Sequence, residues 1–216
     1  MTVVDFENER WSTAPQSLEF RHRVALEMIP EGAVLDLGCG DGLLLELLRA
    51  KGIEGTGLDV SEEAVRICRE KGFSAVAHSL SDPLPYADGA FDTVVLLDVL
   101  EHVYDPASLL REAGRVARER VIISVPNFSS LPARLHALRG LVPENNRPNK
   151  GHVYWFNYPV LKALAGEADL RFARVEMNTF FPLTFFEKKV TKILPNLTAL
   201  SFVAEMHPHA GGGKKR

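Results

Sequence analysis

Long apolar runs are missing from this 216-residue chain. None approaches the ~20 residues that a bilayer-spanning helix needs, so no integral membrane association is expected. Cysteine is scarce, with Cys39 and Cys68 as the whole supply. Two thiols make neither a disulfide framework nor a cysteine-based metal site, and no metal is assigned. Neither sign of charge dominates. The 25 basic and 28 acidic side chains leave a formal net charge of −3, so no broad positive field favours nucleic acid. The start, Met1-Thr2-Val3-Val4-Asp5-Phe6-Glu7, lacks the basic and apolar segments of a secretory signal, which makes cytoplasm the expected location. Internal repeats and domain-separating linkers are also lacking. Residues 1–216 therefore read as a single domain, ending in a disordered tail near 208–216.

What is present is an alternation of short strands and helices. Ala33–Leu37 reads as a first strand. Gly42–Lys51 reads as its helix, apolar at Leu43, Leu44, Leu47 and Leu48 with helical spacing. Gly55–Asp59 is a second strand. Ser61 is an N-cap, and Glu62 and Glu63 after it favour the helix dipole. Ser74–Ala77 follows as a short strand, and Phe91–Leu97, with its apolar run Val94–Leu97, as one of the kind buried in a parallel sheet. A helix near Ala107–Val116, a strand over Arg120–Val125, a helix over Asn157–Ala168 and strands over Arg171–Met177 and Ala199–Met206 complete the pattern. This order implies a doubly wound α/β sheet with right-handed crossovers. Residues 126–156 break the rhythm and read as a substrate-side insertion. Phe180–Leu194 is aromatic and basic, with an expected helix.

The first strand runs into Asp36-Leu37-Gly38-Cys39-Gly40-Asp41-Gly42, and the second ends on Asp59. Glycine allows a tight turn and close approach of a ligand to the backbone. An acid ending the second strand suits the hydroxyls of a ribose. A dinucleotide fingerprint would place glycines at G-x-G-x-x-G spacing. Here position 43 is leucine, so that spacing is broken. Two acids beside the turn, Asp36 and Asp41, suit a cationic ligand better than a diphosphate.

The string D-x-G-x-G-x-G resembles motif I of the class I S-adenosylmethionine (SAM) methyltransferases. The resemblance implies a Rossmann-like sheet of seven strands, mostly parallel with the last strand antiparallel, and SAM as cofactor. Asp36, Gly38, Cys39 and Gly40 match the loop around the methionine part of SAM. Asp59 matches the acid on the ribose hydroxyls, and Val60 its apolar neighbour on adenine. Ser79 and Leu80 fall where the family places a polar stretch beside adenine, although many members have an acid at the position of Ser79. Leu97-Asp98-Val99-Leu100-Glu101-His102-Val103 resembles the string after the fourth strand in ubiquinone-type O-methyltransferases. By that match Asp98 faces the methionine group. His102 reads either as a general base or, with Glu101, as a residue that caps and orients the loop. Val125-Pro126-Asn127-Phe128 and His152-Val153-Tyr154-Trp155-Phe156-Asn157 resemble the MetW-like group. MetW members usually carry a glutamine-containing string where Glu101-His102 stands, so only the broad group is taken.

The implied function is methyl transfer from SAM to a small-molecule acceptor, with oxygen favoured. The alternative is a non-catalytic SAM-binding regulatory or partner subunit. The acceptor side is expected around Trp11 and Arg21, in the insertion with Arg134, His136, Arg139, Arg147, Lys150 and His152, and in Phe180–Phe186. Basic residues in the insertion suit a carboxylate or phosphate on the acceptor, or are simply solvated. The oligomeric state is left open.

Overall fold

The computed structural model describes residues 8, 11, 16–144, 147, 151–179 and 193–209. The expectations for Lys150, Phe180–Phe186 and the extreme tail lie outside those residues. In chain order the elements are α1 (Phe20–Met28), β1 (Val34–Leu37), α2 (Leu43–Ala50), β2 (Gly55–Asp59), α3 (Glu62–Glu70), β3 (Ser74–Ala77) and β4 (Phe91–Leu97). A 3-10 turn over Leu100–His102 follows. Then come α4 (Pro106–Val116), β5 (Ala117–Pro126), α5 (Leu131–Leu138), α6 (Tyr158–Glu167), β6 (Leu170–Thr179), α7 (Pro195–Thr198) and β7 (Ala199–Pro208).

The strands form one seven-stranded sheet in the order β3-β2-β1-β4-β5-β7-β6. β1 to β5 are parallel, and β7 runs antiparallel to both β5 and β6. This is the doubly wound layout expected, with its antiparallel last strand. The order reverses at β1, between β2 and β4. Open sheets of this kind bind ligands in the crevice at such a switch point, at the carboxyl ends of the strands.

Strand alternation places successive side chains on opposite faces. Leu35 and Leu37 of β1 pack with Leu109, Leu110 and Ala113 of α4 and with Leu161 of α6. Val34 faces the other side, with Ala25 and Met28 of α1, Leu44 and Leu48 of α2, and Val65 of α3. Each fully buried leucine contributes about 2 kcal/mol. The central strands are thus held by apolar packing on both faces, and the loops at their carboxyl ends stand on a rigid base.

The helix starts follow their sequence signals. Ser61 accepts a hydrogen bond from the Ala64 N–H at 3.2 Å. Asp105 accepts from Ser108 at 2.9 Å and Asn157 from Val160 at 3.0 Å. Asn127, where the insertion begins, is fully buried and ties it back to the sheet by donating to the carbonyls of Asn196 and Ala199. The insertion carries α5, which buries none of its side chains.

Candidate functional site

The glycine turn after β1 is left-handed at three alternate positions. Gly38, Gly40 and Gly42 have φ of 75°, 53° and 87°. L residues with side chains avoid that region. Space forbids a side chain as well. A Cβ on Gly38 would stand 2.5 Å from a methyl of Val99, and one on Gly40 would stand 2.5 Å from the Trp11 ring.

Asp59 fastens the turn. One carboxylate oxygen accepts the Gly40 N–H at 2.9 Å. The other accepts the Ser61 N–H at 2.9 Å, at the start of α3. The end of β2 therefore joins the glycine turn to the next helix through one buried side chain. Gly38 and Cys39 both donate to the Leu58 carbonyl, at 2.7 and 3.2 Å. Asp36, on β1 beneath the turn, is buried. Loss of solvent, and then repulsion from Asp59, push its carboxyl up to about 8. An incoming cation would favour the ionised form.

The next residues extend outward along the same edge. His78 donates its N–H to the Asp59 carbonyl at 2.9 Å, which places Ser79 and Leu80 beside β2. The Ser79 hydroxyl accepts from the Ser81 N–H at 3.2 Å, and its own proton is left to donate elsewhere. Val60 is half-buried, and Leu80 packs against the core.

Asp98, just past β4, has φ of 55°, a left-handed position for a residue with a side chain. Its carboxylate accepts from the Ser124 hydroxyl and stands 3.2 Å from Arg21 Nη1. Arg21 was expected on the acceptor side. Its guanidinium reaches the end of β4, where its buried Nε has no hydrogen-bond partner among the described residues. His22 fixes the turn that presents it, because His22 Nδ1 accepts the Glu19 N–H at 3.2 Å. Burial and the neighbouring Arg21 lower His22 to about 4, so it stays neutral.

The 3-10 turn brings a third group. Glu101 is buried, and its carbonyl accepts the N–H groups of Val153 and Tyr154 at 2.8 and 3.1 Å. Its carboxylate lies 3.9 Å from His152 Nε2. His102 Nδ1 stands 3.2 Å from the Gly151 carbonyl. A carbonyl can only accept, so Nδ1 is the protonated nitrogen of neutral His102 and Nε2 carries the lone pair. The two histidine rings meet edge to face, with centroids 4.9 Å apart. Donor atoms of Glu101, His102 and His152 all lie within 4.8 Å of one another. One carboxylate and two imidazoles form a set that a divalent transition metal accepts.

Sequence reading placed His102 and His152 in separate segments and assigned no metal. It missed their meeting with Glu101, as well as the ion pair of Arg21 with Asp98. Both contacts span long stretches of chain, and no local pattern signals them.

A family model described as "Methionine biosynthesis protein MetW" matches residues 20–196. Among curated proteins, a ubiquinone biosynthesis O-methyltransferase of Methylococcus capsulatus is 38% identical over 117 residues, covering 49% of this chain and 48% of that protein. One from Thiobacillus denitrificans is 32% identical over 162 residues, covering 70% and 69%. A bifunctional methionine biosynthesis protein MetXA/MetW of Rhodopirellula baltica is 36% identical over 146 residues, covering 62% of this chain and 23% of that protein. The chain spans 36% to 48% of the length of the first curated relatives it matches. Among solved structures, a Haloferax volcanii methyltransferase in complex with the activator Trm112 superposes with a TM-score of 0.70 at 22% identity, covering 98% of this chain and 100% of that one. Magnesium protoporphyrin IX methyltransferase from Synechocystis, with S-adenosylhomocysteine bound, gives 0.66 at 20% identity, covering 95% and 98%. These structural likenesses bear on the fold alone.

Proposed function

The chain belongs to the MetW family, within the class I SAM-dependent methyltransferases, and from that premise we propose that it transfers a methyl group from SAM to an oxygen of a small-molecule acceptor. One observation carries the reading. The left-handed glycine turn, two buried carboxylates and a histidine whose Nδ1 faces a carbonyl all stand at or just beyond the carboxyl ends of β1, β2 and β4.

The residues suit SAM. The cradle at Gly38 and Gly40 is closed to side chains, as a backbone that approaches a ligand requires. Asp36 and Asp59 add negative charge, which favours a sulfonium and an ammonium over a pyrophosphate. Gly38, Cys39 and Gly40 would hold the methionine part by backbone groups, and Asp36 would face its positive charge. Asp59 would take the ribose hydroxyls. Val60 and Leu80 would line adenine, with the Ser79 hydroxyl at its edge. Asp98 would face the ammonium. A carboxylate of either reactant would satisfy the buried Nε of Arg21. Bound SAM supplies a methyl group on a good leaving group, so catalysis rests largely on holding the acceptor atom in line with that carbon.

His102 takes the role of general base. The Gly151 carbonyl faces Nδ1, so in the neutral ring Nε2 is the basic nitrogen that would take the proton of an acceptor hydroxyl. The acceptor enters from the side of the insertion, where Arg134 within α5 and Arg139 at its end suit a negatively charged group. We place the protein in the cytoplasm.

A second reading rests on a different observation. In the Rhodopirellula relative the matching segment is joined to MetXA. A SAM-binding subunit that regulates a partner would keep the cofactor residues and have no need of His102.

Calorimetric titration with SAM, S-adenosylhomocysteine and NAD tests the cofactor. Binding of both adenosyl ligands, weakened by Asp59→Ala, with no binding of NAD, is the expected result. Binding of NAD, or of nothing, sinks the reading. The enzyme is then separated from the subunit by His102→Ala, which should retain SAM binding and lose methyl transfer. Wild-type protein that methylates no member of a phenol, carboxylate and thiol acceptor panel favours the subunit.

A further inference from the structure

The chain's two cysteines stand far apart in sequence and meet beneath the glycine turn. Cys39 and Cys68 are both buried, with their Sγ atoms 3.9 Å apart. Both sulfurs face the carbonyl of Gly40, Cys68 at 3.2 Å and Cys39 at 3.8 Å. The room for them comes from missing side chains. A Cβ on Gly57 would stand 2.7 Å from Cys39 Sγ, and one on Gly42 would stand 3.0 Å from Cys68 Sγ. The Gly40 N–H on the other side of the same residue is the one held by Asp59.

We propose that Cys39 and Cys68 are a reversible oxidation site, and that a disulfide between them disables the cofactor turn. The effect on SAM rests on the function proposed above, whereas formation of the bond does not. A disulfide bond is about 2.05 Å long, so the sulfurs must approach by roughly 1.9 Å. Cys68 is anchored on α3, so the displacement falls on Cys39 and its glycine neighbours. The Gly40 carbonyl also loses both S–H donors in a buried place, and an unmet polar group there is costly.

The oxidant is a small hydroperoxide, such as hydrogen peroxide. One thiolate attacks the peroxide oxygen, forming a sulfenic acid and releasing hydroxide. The second thiol displaces water from that sulfenic sulfur and forms the S–S bond. Two thiols and one peroxide thus give one disulfide and two waters. Hydrogen bonding to Cys68 and burial hold the Cys39 thiol well above its ordinary value. The thiolate is therefore scarce while the turn is closed, and oxidation proceeds through its opening. A cofactor that holds the turn closed should slow the reaction.

The test treats the full chain with hydrogen peroxide and follows intact mass, thiol count and SAM affinity. The expected product has lost two hydrogens and gained no oxygen. Its SAM affinity should fall at least tenfold and return with dithiothreitol. Prior addition of SAM should slow its formation, and Cys68→Ala should be spared the reversible loss. Stable sulfinic acid without the disulfide would overturn the proposal, as would a disulfide that leaves SAM affinity unchanged. If the reduced protein binds no SAM, the methyltransferase reading fails separately. Trp11 emission in a Trp155→Phe background then decides, because the Trp11 ring lies against Gly40. A reversible change on oxidation supports the proposal, and an unchanged signal overturns it.

Discussion

The glycine turn and the insertion of this molecule are built by opposite means. Around the glycine turn, Cys39 to Gly42, and at the end of β2 the chain is buried and held by backbone hydrogen bonds. Gly38, Cys39, Gly40 and Ser61 all give their N–H groups to β2 or to its terminal Asp59. In the insertion, α5 buries no side chain, and Leu138 is 83% exposed. The part that would grip an invariant cofactor is rigid. The part that would meet a variable acceptor rests lightly on the sheet and is tied down at its two ends, by Asn127 and by the Glu101 contacts with Val153 and Tyr154. Shape is thus fixed where the ligand is fixed, and surface is left open where it is not.

The largest expected effect lies where the two sides meet. His102→Ala should lower kcat by roughly 10²- to 10⁴-fold, the usual share of a general base. SAM affinity should hold within about threefold, since the change leaves the glycine turn alone. Steady-state rates and calorimetry on one preparation check both halves. An equal fall in both would dissolve the distinction between the sides.

Next comes the rigid side. Gly40→Val combines a left-handed φ with a Cβ driven into the Trp11 ring. SAM affinity should fall at least a hundredfold, about 2.7 kcal/mol. Near-normal binding would mean that the turn is far softer than its hydrogen bonds imply.

A smaller effect is one of pH. Asp36 is raised from 3.8 to about 8 in the folded chain. Its contribution to stability is fully present below the unfolded value and is lost as pH rises towards about 8. Chemical denaturation should therefore show Asp36→Asn gaining on wild type as pH rises through that window. SAM binding should tighten over the same range in wild type, because the ionised carboxylate attracts the cation, and Asp36→Asn should flatten that slope. Parallel pH profiles for the two proteins would remove Asp36 from the site.

The smallest effect is expected on the open side. Leu138→Ser should change folding stability by no more than about 0.5 kcal/mol, as exposed substitutions do. A denaturation midpoint shifted well beyond that would show that α5 is covered in solution.

The sheet and the glycine turn were legible because their signals are local. The strand Phe91–Leu97, with its apolar run Val94–Leu97, reads as a buried parallel strand and is one. Ser61 reads as a cap and accepts the expected N–H. Asp59 is singled out in the sequence by its place at the end of β2, and in the structure its oxygens hold two backbone donors. The ion pair of Arg21 with Asp98 was not legible, because nothing in α1 announces that the guanidinium reaches the end of β4.

The sequence by itself determined the alternation of strands and helices, the left-handed turn and the acids beside it. Each of those follows from side-chain size, backbone freedom and charge within a few residues. Only the tertiary structure decided that Glu101 and His102 meet His152, that Arg21 pairs with Asp98, and that Cys39 faces Cys68. Such meetings depend on how the sheet closes long loops, and loop closure costs so little extra with length that spacing along the chain leaves no trace of it.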